Sequence, residues 1–445
     1  MQIIKRFFGP LPLPIFGNCL QVLISAREPG YEILLKLRQK YGGIFTLKAA
    51  LTDVIVVADW EIMKEMLIKD ADTYFLKSYG MGSDVLQQRV LIDVRYLIDS
   101  LKRENLDKSI NLCSYIEIGI ASVINSFLFG YRYDNSNIHE FHQLNDIITK
   151  MAKFIGEPTQ AVMLFSPWLR YLPYFNGKYE AFVNNGSKIM GIFEKQILEH
   201  QKYIDYESNE STDFAEAYFK EMKKLENEPD FGGFGMQQLK NICFDLWSAG
   251  METSTHVISW GILYILHHPE VARRIREELD SKICGDRTVT LDDKHKLPYT
   301  NAVINETLRL GNVVFQPLLH STTRDVVVRG YHIPKDTIVA PQVTTILYDE
   351  KVFPDPYKFK PERFIDSGGN LKKIEEFVPF GAGKRSCLGE SLAKIELFLF
   401  LANIYNQFEI LPVDPNNLPS LRKTWRMIIK PQDFEIFLKP RFEKL

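Results

Sequence analysis

Cysteine is scarce in this sequence, and its few copies are not arranged in pairs. The five cysteines are widely spaced and include no C-x-x-C. Without paired spacings, neither a disulfide framework nor a structural zinc site is expected, and such usage suits a reducing compartment. The five are Cys19, Cys113, Cys243, Cys284 and Cys387.

Excess charge and long apolar runs are also missing. The chain has 54 Lys and Arg against 56 Asp and Glu, a net charge of -2, so nothing in its global field favours nucleic acid as a partner. No run of about 20 apolar residues precedes the proline-rich hinge at residues 9–18, so we expect neither a membrane anchor nor a secretory leader there. The apolar stretch 118–130 is interrupted by Asn125 and Ser126, which predicts a buried helix instead.

The composition is that of an ordinary globular protein of 445 residues, 45% hydrophobic and 25% charged, with no internal repeat and no long linker. Residues 84–280 show mainly helical periodicity. Strands are predicted as a pair within 42–59, as a hairpin within 325–343, and at 434–440. A helical centre with strands from distant parts of the chain predicts a single, mainly α domain over residues 1–445, with small peripheral β-sheets.

The segment 380–390, FGAGKRSCLGE, places one cysteine after a glycine-rich loop with two cations. Its glycines allow the backbone to pass close to a flat or bulky object. Arg385 and the N-terminus of the helix predicted to follow both favour the thiolate form of Cys387. On this loop alone, a buried structural cysteine at a helix start stays open as the alternative.

The segment 247–256, WSAGMETSTH, lies inside a run that predicts a long helix from about residue 236 to 267. Glycine costs about 1 kcal/mol relative to alanine inside a helix, and hydroxyl side chains bend helices by bonding to backbone carbonyls. We therefore expect a locally opened helix whose small-residue notch and hydroxyl–carboxylate pair accommodate a small ligand and pass protons to it. A regular helix with a tolerated glycine and an exposed polar face is the alternative.

Two further segments are weak signals when taken alone. NETLRL places Glu306 and Arg309 on one helical face, a pairing worth only about 0.3 kcal/mol on a surface. FKPERF, residues 359–364, supplies Arg363 between aromatic residues.

In this order, the four segments resemble the cytochrome P450 family, the haem-thiolate monooxygenases, and specifically the microsomal type that metabolises drugs and steroids. The resemblance covers most of the chain. It implies the P450 fold, with haem b between the long central helix and the helix that follows the cysteine loop. The thiolate of such enzymes pushes electron density onto the iron, which favours O–O cleavage.

The resemblance also implies roles for individual residues. Cys387 is expected to be the axial ligand of the haem iron, and Glu252 and Thr253 the catalytic proton relay. A buried charge cluster is expected to support the cysteine loop, formed by Glu306, Arg309 and Arg363. The expected haem-binding residues are Arg385 and His320 at the propionates, Phe380, Gly381, Gly383 and Gly389 in the loop, and Ala249 and Gly250 over the distal face.

The implied reaction takes electrons from NADPH through a partner flavoprotein reductase and inserts one oxygen atom of O2 into a lipophilic substrate. Lys372, Lys373 and Lys384 lie on the face where the reductase or cytochrome b5 docks in this family, and they are expected to steer an acidic partner. An ordinary solvated basic face is the alternative. The implied location is the surface of the endoplasmic reticulum, with peripheral membrane contact through apolar residues such as Phe7 and Phe8, or the cytosol.

The chain departs from the family pattern at one internal junction. The family has a substrate-covering helix and loop there, followed by a helix whose Trp-x-x-x-Arg motif clamps a haem propionate. Here no tryptophan lies between Trp60 and Trp168. We therefore expect an internal deletion near residues 79–87, worth one or two helices, with poor haem retention and reduced activity as its consequence.

Two other functions remain open at this point. A haem-thiolate isomerase or dehydratase needs no external electrons, but such enzymes often lack the threonine found here as Thr253. An impaired or silent haem- or lipid-binding protein is the alternative that the junction favours.

Overall fold

The computed structural model describes residues 9–12, 17–18, 31–49, 52–69, 83–104, 107–155, 163, 166–208, 210–227, 233–283, 285–315, 318–423 and 428–442. Within these ranges the chain forms twelve α-helices and eight β-strands. The helices are α1 (Glu32–Tyr41), α2 (Trp60–Lys64), α3 (Ser83–Arg103), α4 (Leu112–Phe129), α5 (Ile138–Ile155), α6 (Pro173–Gln201), α7 (Phe214–Lys224), α8 (Met236–Leu266), α9 (Pro269–Ile283), α10 (Pro298–Gly311), α11 (Val343–Leu347) and α12 (Glu390–Gln407).

The strands form three small sheets at the edge of the helices. They are β1 (Ile44–Ala49), β2 (Thr52–Val57), β3 (His320–Ser321), β4 (Val326–Val328), β5 (Tyr331–Ile333), β6 (Ile338–Pro341), β7 (Phe408–Pro412) and β8 (Ile436–Pro440). The largest sheet has the order β1-β2-β6-β3, in which only β2 and β6 are parallel. In that pair Val54 lies opposite Ile338, which joins the two halves of the chain.

The hairpin prediction is correct for β4 and β5. Arg329 and Gly330 make the turn between them, with φ angles of 51° and 82°. A positive φ is easy for glycine but rare for arginine, so the second position of this turn is well matched to its residue. The strand that follows the next turn, β6, pairs in the largest sheet and not with the hairpin.

Helix α8 runs through the centre of the molecule. From Ser254 to Leu266 it is buried almost all round, a pattern that indicates a core helix rather than an amphipathic surface helix. Trp260 stacks on Tyr264 with ring centroids 5.3 Å apart, and Tyr264 stacks in turn on Phe359 at 5.0 Å. This helix packs against α4, α6, α10 and α12, so it fixes their relative positions.

Helix α4 is the one helix in the described ranges that is long and apolar enough to cross a bilayer, with a mean hydropathy of 1.6. However, 61% of its residues are buried. A side chain at Gly119 would come within 2.9 Å of the Phe400 ring in α12, so the two helices are closely packed there. The prediction that residues 118–130 form a buried helix is therefore correct.

Proline and polar residues end the helices where the sequence predicts breaks. A 3-10 turn, Pro167–Tyr171, begins at one proline, and α6 begins at Pro173, the next. The polar stretch 207–211 lies between α6 and α7. The break predicted near Pro158 and residues 79–82 of the junction lie outside the described residues.

Candidate active site

The cysteine loop is closed by its own backbone and packed tightly against a neighbouring turn. The Cys387 N–H donates to the Phe380 carbonyl at 2.9 Å. Gly381 and Gly383 both have φ of 77°, a conformation that L side chains rarely adopt. A Cβ at Gly383 would lie 2.0 Å from the Leu67 carbonyl oxygen, in the π turn that follows α2. Glycine is therefore required at 383 for the loop to approach this turn.

The Cys387 side chain is exposed just before α12, and the pKa of its thiol is raised, whereas the sequence predicts a lowered pKa. Partial desolvation raises the pKa of the thiol, and the nearby Glu390 carboxylate raises it further. Backbone N–H groups of Gly389 and Glu390 act in the opposite direction but do not prevail. The helix N-terminus thus favours the thiolate as predicted, but in the protein chain alone desolvation outweighs it and the pKa of the thiol lies above its ordinary value. A coordinated metal ion deprotonates a thiol by itself, so this does not argue against a ligand role.

The other side chains around the loop suit a flat apolar group with an anionic edge. Arg385 is exposed, and Leu388 beside the cysteine is 66% exposed despite being apolar. His320 lies in β3, where its ring nitrogen Nδ1 is 3.0 Å from the Leu318 carbonyl oxygen. A thiol, cations and uncovered apolar side chains are the donor set that haem with its propionates needs. No hydrogen bond joins His320 to the loop among the described residues, so its propionate role stays a prediction.

Phe380, the first residue of the cysteine loop, anchors the loop in the core. It is half-buried against the main hydrophobic core, and the Lys394 ammonium lies 5.5 Å from its ring centroid. The structure thus anchors the first residue of the loop in the core while the cysteine at its end stays accessible.

The central helix is regular at residues 249–254, so the prediction of a locally opened helix is wrong. The Thr253 hydroxyl donates to the Ala249 carbonyl at 2.6 Å, and the Ser248 hydroxyl donates to Phe244 at 2.7 Å. Each hydroxyl reaches the carbonyl four residues earlier, and the α-helix continues unbroken from Met236 to Leu266. Glu252 and Thr253 remain half-buried.

Gly250 and the neighbouring alanine have different surroundings. A Cβ at Gly250 would lie 2.7 Å from the Ile124 Cδ1 atom of α4, so this glycine permits close packing of two helices. Ala249, by contrast, is exposed. The structure therefore gives Gly250 a packing role that the sequence expectation, clearance over the distal face, did not include.

A buried carboxyl group links the two helices that bracket the candidate site. The Ser254 hydroxyl of α8 donates to Glu396 Oε2 of α12 at 2.6 Å, and both residues are buried. Burial raises the pKa of Glu396 to about 8; the Ser254 hydrogen bond lowers it and the charge of Asp93 raises it. Sequence reasoning missed this residue. A single glutamate inside the apolar run IELFLFL was the available signal.

The two predicted arginines both contact the buried carboxylate of the predicted glutamate. Glu306 and Arg309 are both 0% exposed, and Arg309 Nε and Nη2 each donate to a Glu306 oxygen at 2.8 Å. Arg363 Nε lies 3.2 Å from Glu306 Oε1, and the Lys360 N–H donates to the same oxygen at 2.9 Å. Charge-assisted, two-pronged bonds of this kind are strong and directional. They fasten α10 to the segment that leads into the cysteine loop.

Comparison with known proteins agrees with this geometry. The family model for cytochrome P450 matches residues 8–83 and 73–437. The chain belongs to the cytochrome P450 family. Family membership makes it a haem-thiolate monooxygenase, an oxidoreductase that works with haem held by a cysteine thiolate.

Three relatives illustrate the type of P450. The chain is 30% identical to cytochrome P450 2C16 of Oryctolagus cuniculus over 469 positions, covering 97% of this chain and 93% of the relative. It is 32% identical to cytochrome P450 2C5 of the same species over 446 positions, covering 92% and 89%. It is 29% identical to cytochrome P450 2D26 of Rattus norvegicus over 470 positions, covering 96% and 91%. These similarities support the drug-metabolising type.

The alignments also contain positions that this chain does not fill. The 469-position alignment includes 97% of the 445 residues of this chain, about 432 residues, so about 37 positions hold a residue of the relative alone. The 446-position alignment includes 92% of the chain and gives about the same number. The two pieces of the family match overlap at residues 73–83.

Replacing Arg309 by methionine is expected to destabilise the protein by about 3–5 kcal/mol, because Glu306 would lose the partner that bonds both of its oxygens while staying buried. Arg273→Met is the matched control, since its pair with Glu277 is exposed and worth about 0.5 kcal/mol. Urea unfolding followed by circular dichroism compares the two. Equal midpoints for both variants would show that the buried cluster does not stabilise the fold.

Replacing Glu396 by glutamine is expected to remove a pH dependence of stability. The folded-state pKa of about 8 lies above the ordinary value of 4.5, so the folded protein holds this proton more tightly than the unfolded chain. Stability from this group is complete below pH 4.5 and is lost as pH rises from there through 8, on the order of 5 kcal/mol in total. Glu396→Gln should therefore gain stability over the unmodified chain between pH 6 and pH 9.

The measurement is the difference in urea midpoint between variant and unmodified chain at pH 6 and at pH 9. Glu277→Gln, an exposed position in α9, serves as control and should show no change in this difference. A constant difference for Glu396→Gln across the range would contradict a buried neutral carboxyl.

Proposed function

We propose that Cys387 is the axial ligand of haem b iron, and that the protein inserts one oxygen atom of O2 into a medium-sized lipophilic substrate with electrons from an NADPH-dependent reductase. The observation that supports this most directly is the accessible Cys387 thiol. It stands at the start of α12, at the end of a loop whose glycines have the positive φ angles and close contacts that hold it in place. Arg385 and His320 are the proposed partners of the haem propionates.

Haem bound at this cysteine supplies the activation of oxygen. The residues of the chain position the reactants and move protons. The Thr253 hydroxyl both donates and accepts, and its bond to the Ala249 carbonyl fixes its donor direction within α8. Glu252 precedes it and is only half-buried, so its carboxyl group can exchange protons with solvent and deliver them to the threonine. Ala249 is small and exposed and leaves room for a small ligand beside the helix.

We also propose that a segment near residues 79–87 is missing from this chain relative to the family. About 37 unfilled positions in two alignments, and a family match that restarts at residue 73, support this proposal. No observation favours a silent binding protein, so monooxygenase chemistry remains the proposed function. The proposed gap predicts weaker haem retention, since the Trp-x-x-x-Arg clamp is not available.

Cys387→Ala is expected to abolish the thiolate-type Soret band of the reduced carbon-monoxide complex, because no other ligand would hold the iron through sulfur. Cys113→Ala, a half-buried cysteine in α4, is the control and should keep the band. Haem content per chain, measured on the same samples, tests retention. A thiolate-type band in Cys387→Ala would overturn the ligand assignment, and full haem content in the unmodified chain would overturn the proposed weakness.

We propose that the protein contacts the membrane surface through an aromatic patch that includes Trp168, Tyr171, Leu172 and Tyr174, all exposed at the start of α6. Arg170 lies among them, which suits a surface with anionic headgroups. Aromatic side chains with polar tips prefer the interface between water and lipid. The predicted membrane contact of Phe7 and Phe8 lies outside the described residues.

The double variant Trp168→Ser, Tyr171→Ser is expected to bind vesicles of phosphatidylcholine and phosphatidylserine at least tenfold more weakly, since two interfacial side chains are lost. Tyr203→Ser is the control, because Tyr203 is 83% exposed but lies beyond the other end of α6. Co-sedimentation with the vesicles measures both. Unchanged sedimentation of the double variant would exclude the patch as the contact.

We propose that Lys372, Lys373 and Lys384 form the docking face for the reductase, or for cytochrome b5. All three are exposed, and none forms an ion pair with a described residue. Cations that precede or lie in the cysteine loop, with no ion pair among the described residues, would steer an acidic partner toward the site and speed association.

The variant Lys372→Glu, Lys373→Glu is expected to lower reductase-driven turnover about tenfold at low salt while peroxide-driven turnover stays unchanged, because only the first needs the partner. The double variant Lys188→Glu, Lys195→Glu, at two exposed positions in α6, makes the same change in net charge and is the control. An equal loss in both assays would indicate damage to the site rather than to docking.

A further inference from the structure

The hydroxyl group of Ser254 differs from three of its neighbours in α8 in where it donates. Ser248, Thr253 and Ser259 each donate to the backbone carbonyl four residues earlier in the same helix, at 2.7, 2.6 and 2.8 Å. The Ser254 hydroxyl instead donates to Glu396 Oε2 of α12 at 2.6 Å. A bond within one helix leaves that helix free to shift as a unit, whereas the Ser254 bond holds one turn of α8 against another helix.

This bond connects the two halves of the candidate active site. Ser254 directly follows Thr253, the proposed proton carrier of α8. Glu396 is in the helix that begins just after Cys387, the proposed ligand of the iron. A regular helix keeps its residues at fixed distances along its axis. The position of the Thr253 hydroxyl relative to Cys387 therefore depends on how firmly Ser254 and Glu396 are joined.

Glu396 has too few hydrogen-bond donors around it to be buried as an anion. It is 1% exposed; its Oε2 accepts the Ser254 bond, and its Oε1 has no hydrogen-bond partner among the described residues. Glu306 is also buried, but it accepts bonds from Arg309 and Arg363. A buried carboxylate is tolerated only with donors of this kind. Glu396 is therefore neutral in the closed structure.

The charge that acts on Glu396 from a neighbouring helix also favours the neutral form. Burial raises the pKa of Glu396 to about 8, and the negative charge of Asp93 in α3 contributes to that rise. Asp93 is itself paired with Arg132, whose Nε and Nη2 donate to it at 2.9 and 2.7 Å. Other charged residues of α12 and of the elements packed against it pair with one another: Arg276 with Glu409, Arg287 and Lys296 with Asp293, Arg309 with Glu306, and Lys394 with Glu390. No cation among the described residues thus acts on the Glu396 carboxyl group.

We propose that neutral Glu396 is a positioning residue for Thr253: through Ser254 it holds the turn of α8 that carries the Thr253 hydroxyl, and loss of its proton releases that turn. The Ser254 hydroxyl stabilises the ionised form of Glu396, but its effect on the pKa is smaller than that of burial. An ionised carboxyl group therefore gains from any local opening that brings water between α8 and α12. The inference rests on the proposed function for the role of Thr253, while the bond and its pH dependence are properties of the chain itself.

Amide hydrogen exchange over residues 249–254 tests this release on the full-length chain and does not require haem. Glu396→Gln keeps an acceptor for Ser254 but has no proton to lose. Comparing the two chains at the same pH cancels the intrinsic pH dependence of exchange. Between pH 6 and pH 9, exchange in the unmodified chain should rise about tenfold or more relative to Glu396→Gln, because ionisation of a group with a folded-state pKa of about 8 favours the open state.

Glu277→Gln, at an exposed position in α9, is the matched control and should exchange like the unmodified chain at every pH. The protection of α10 in the same samples is the reference for global unfolding. At pH 9 residues 249–254 should be less protected than α10 in the unmodified chain. Equal protection of the two segments would overturn the proposal, because the opening would then be global. So would a ratio between the unmodified chain and Glu396→Gln that does not change with pH.

The C–O stretching band of the reduced carbon-monoxide complex reports whether the Thr253 hydroxyl keeps its position, because hydrogen-bond donors on the distal side of haem act on bound gas molecules. The band of the unmodified chain should shift as pH rises through 8, and the band of Glu396→Gln should stay fixed. Thr253→Ala should show no shift, since the reporting hydroxyl is absent. A pH-independent band in the unmodified chain, or the same shift in Glu396→Gln, would contradict the proposal.

Ser254→Ala separates the hydrogen bond from the carboxyl group. Glu396 still loses its proton in this variant, so the pH dependence of the urea midpoint should remain, while the band should no longer follow pH. A shift that persists in Ser254→Ala would show that Glu396 acts by another route and would overturn the assignment. A chain without any thiolate-type band would refute the proposed function alone, and the exchange experiment would still decide whether Glu396 releases the turn.

Discussion

The buried carboxylate of Glu306 is the constraint on which the candidate site depends. A charge with no access to water is tolerated only when several donors surround it. Here Arg309, Arg363 and the Lys360 N–H all donate to it, and Arg309 Nη1 also donates to the Leu347 carbonyl at 2.9 Å. These bonds hold α10, the end of α11 and the 3-10 turn Pro361–Phe364 in one arrangement. Residues 365–379 connect that turn to the cysteine loop, and Phe377 and Val378 pack this connection against the core, which helps to position the loop.

Two interactions then align the faces of the site. The Ser254–Glu396 bond joins the residue after Thr253 to the helix that begins just after Cys387. The close approach of Gly250 to Ile124 fixes the same turn of α8 against α4. Contacts in the core thus position the proton-carrying residues and the cysteine. The groups that face the ligand are small or exposed.

Local patterns in the sequence predicted much of this architecture. The β-branched run at 52–57, the turn at Arg329 and Gly330, and the prolines at 167 and 173 each determine backbone conformation through nearby atoms. Three results depend on distant partners and were not accessible. The parallel pairing of β2 with β6 joins residues far apart in the chain, the partner of Glu396 lies on another helix, and the acidity of Cys387 follows from partial desolvation that only the folded chain creates. The expectation of an opened α8 failed because hydroxyls can bond backward without breaking a helix.

We expect fold stability and haem retention to be separable in this protein. Helix α3, which follows the junction, is firmly part of the core: Val90, Val94 and Leu101 are buried, and Asp93 pairs with Arg132 of the neighbouring segment. The core around α4, α8 and α12 therefore forms without help from the stretch proposed to be missing. What such a gap would remove is the substrate-covering segment and the clamp on a haem propionate. The gap should thus weaken haem binding and expose the substrate pocket, while the free energy of folding stays unchanged.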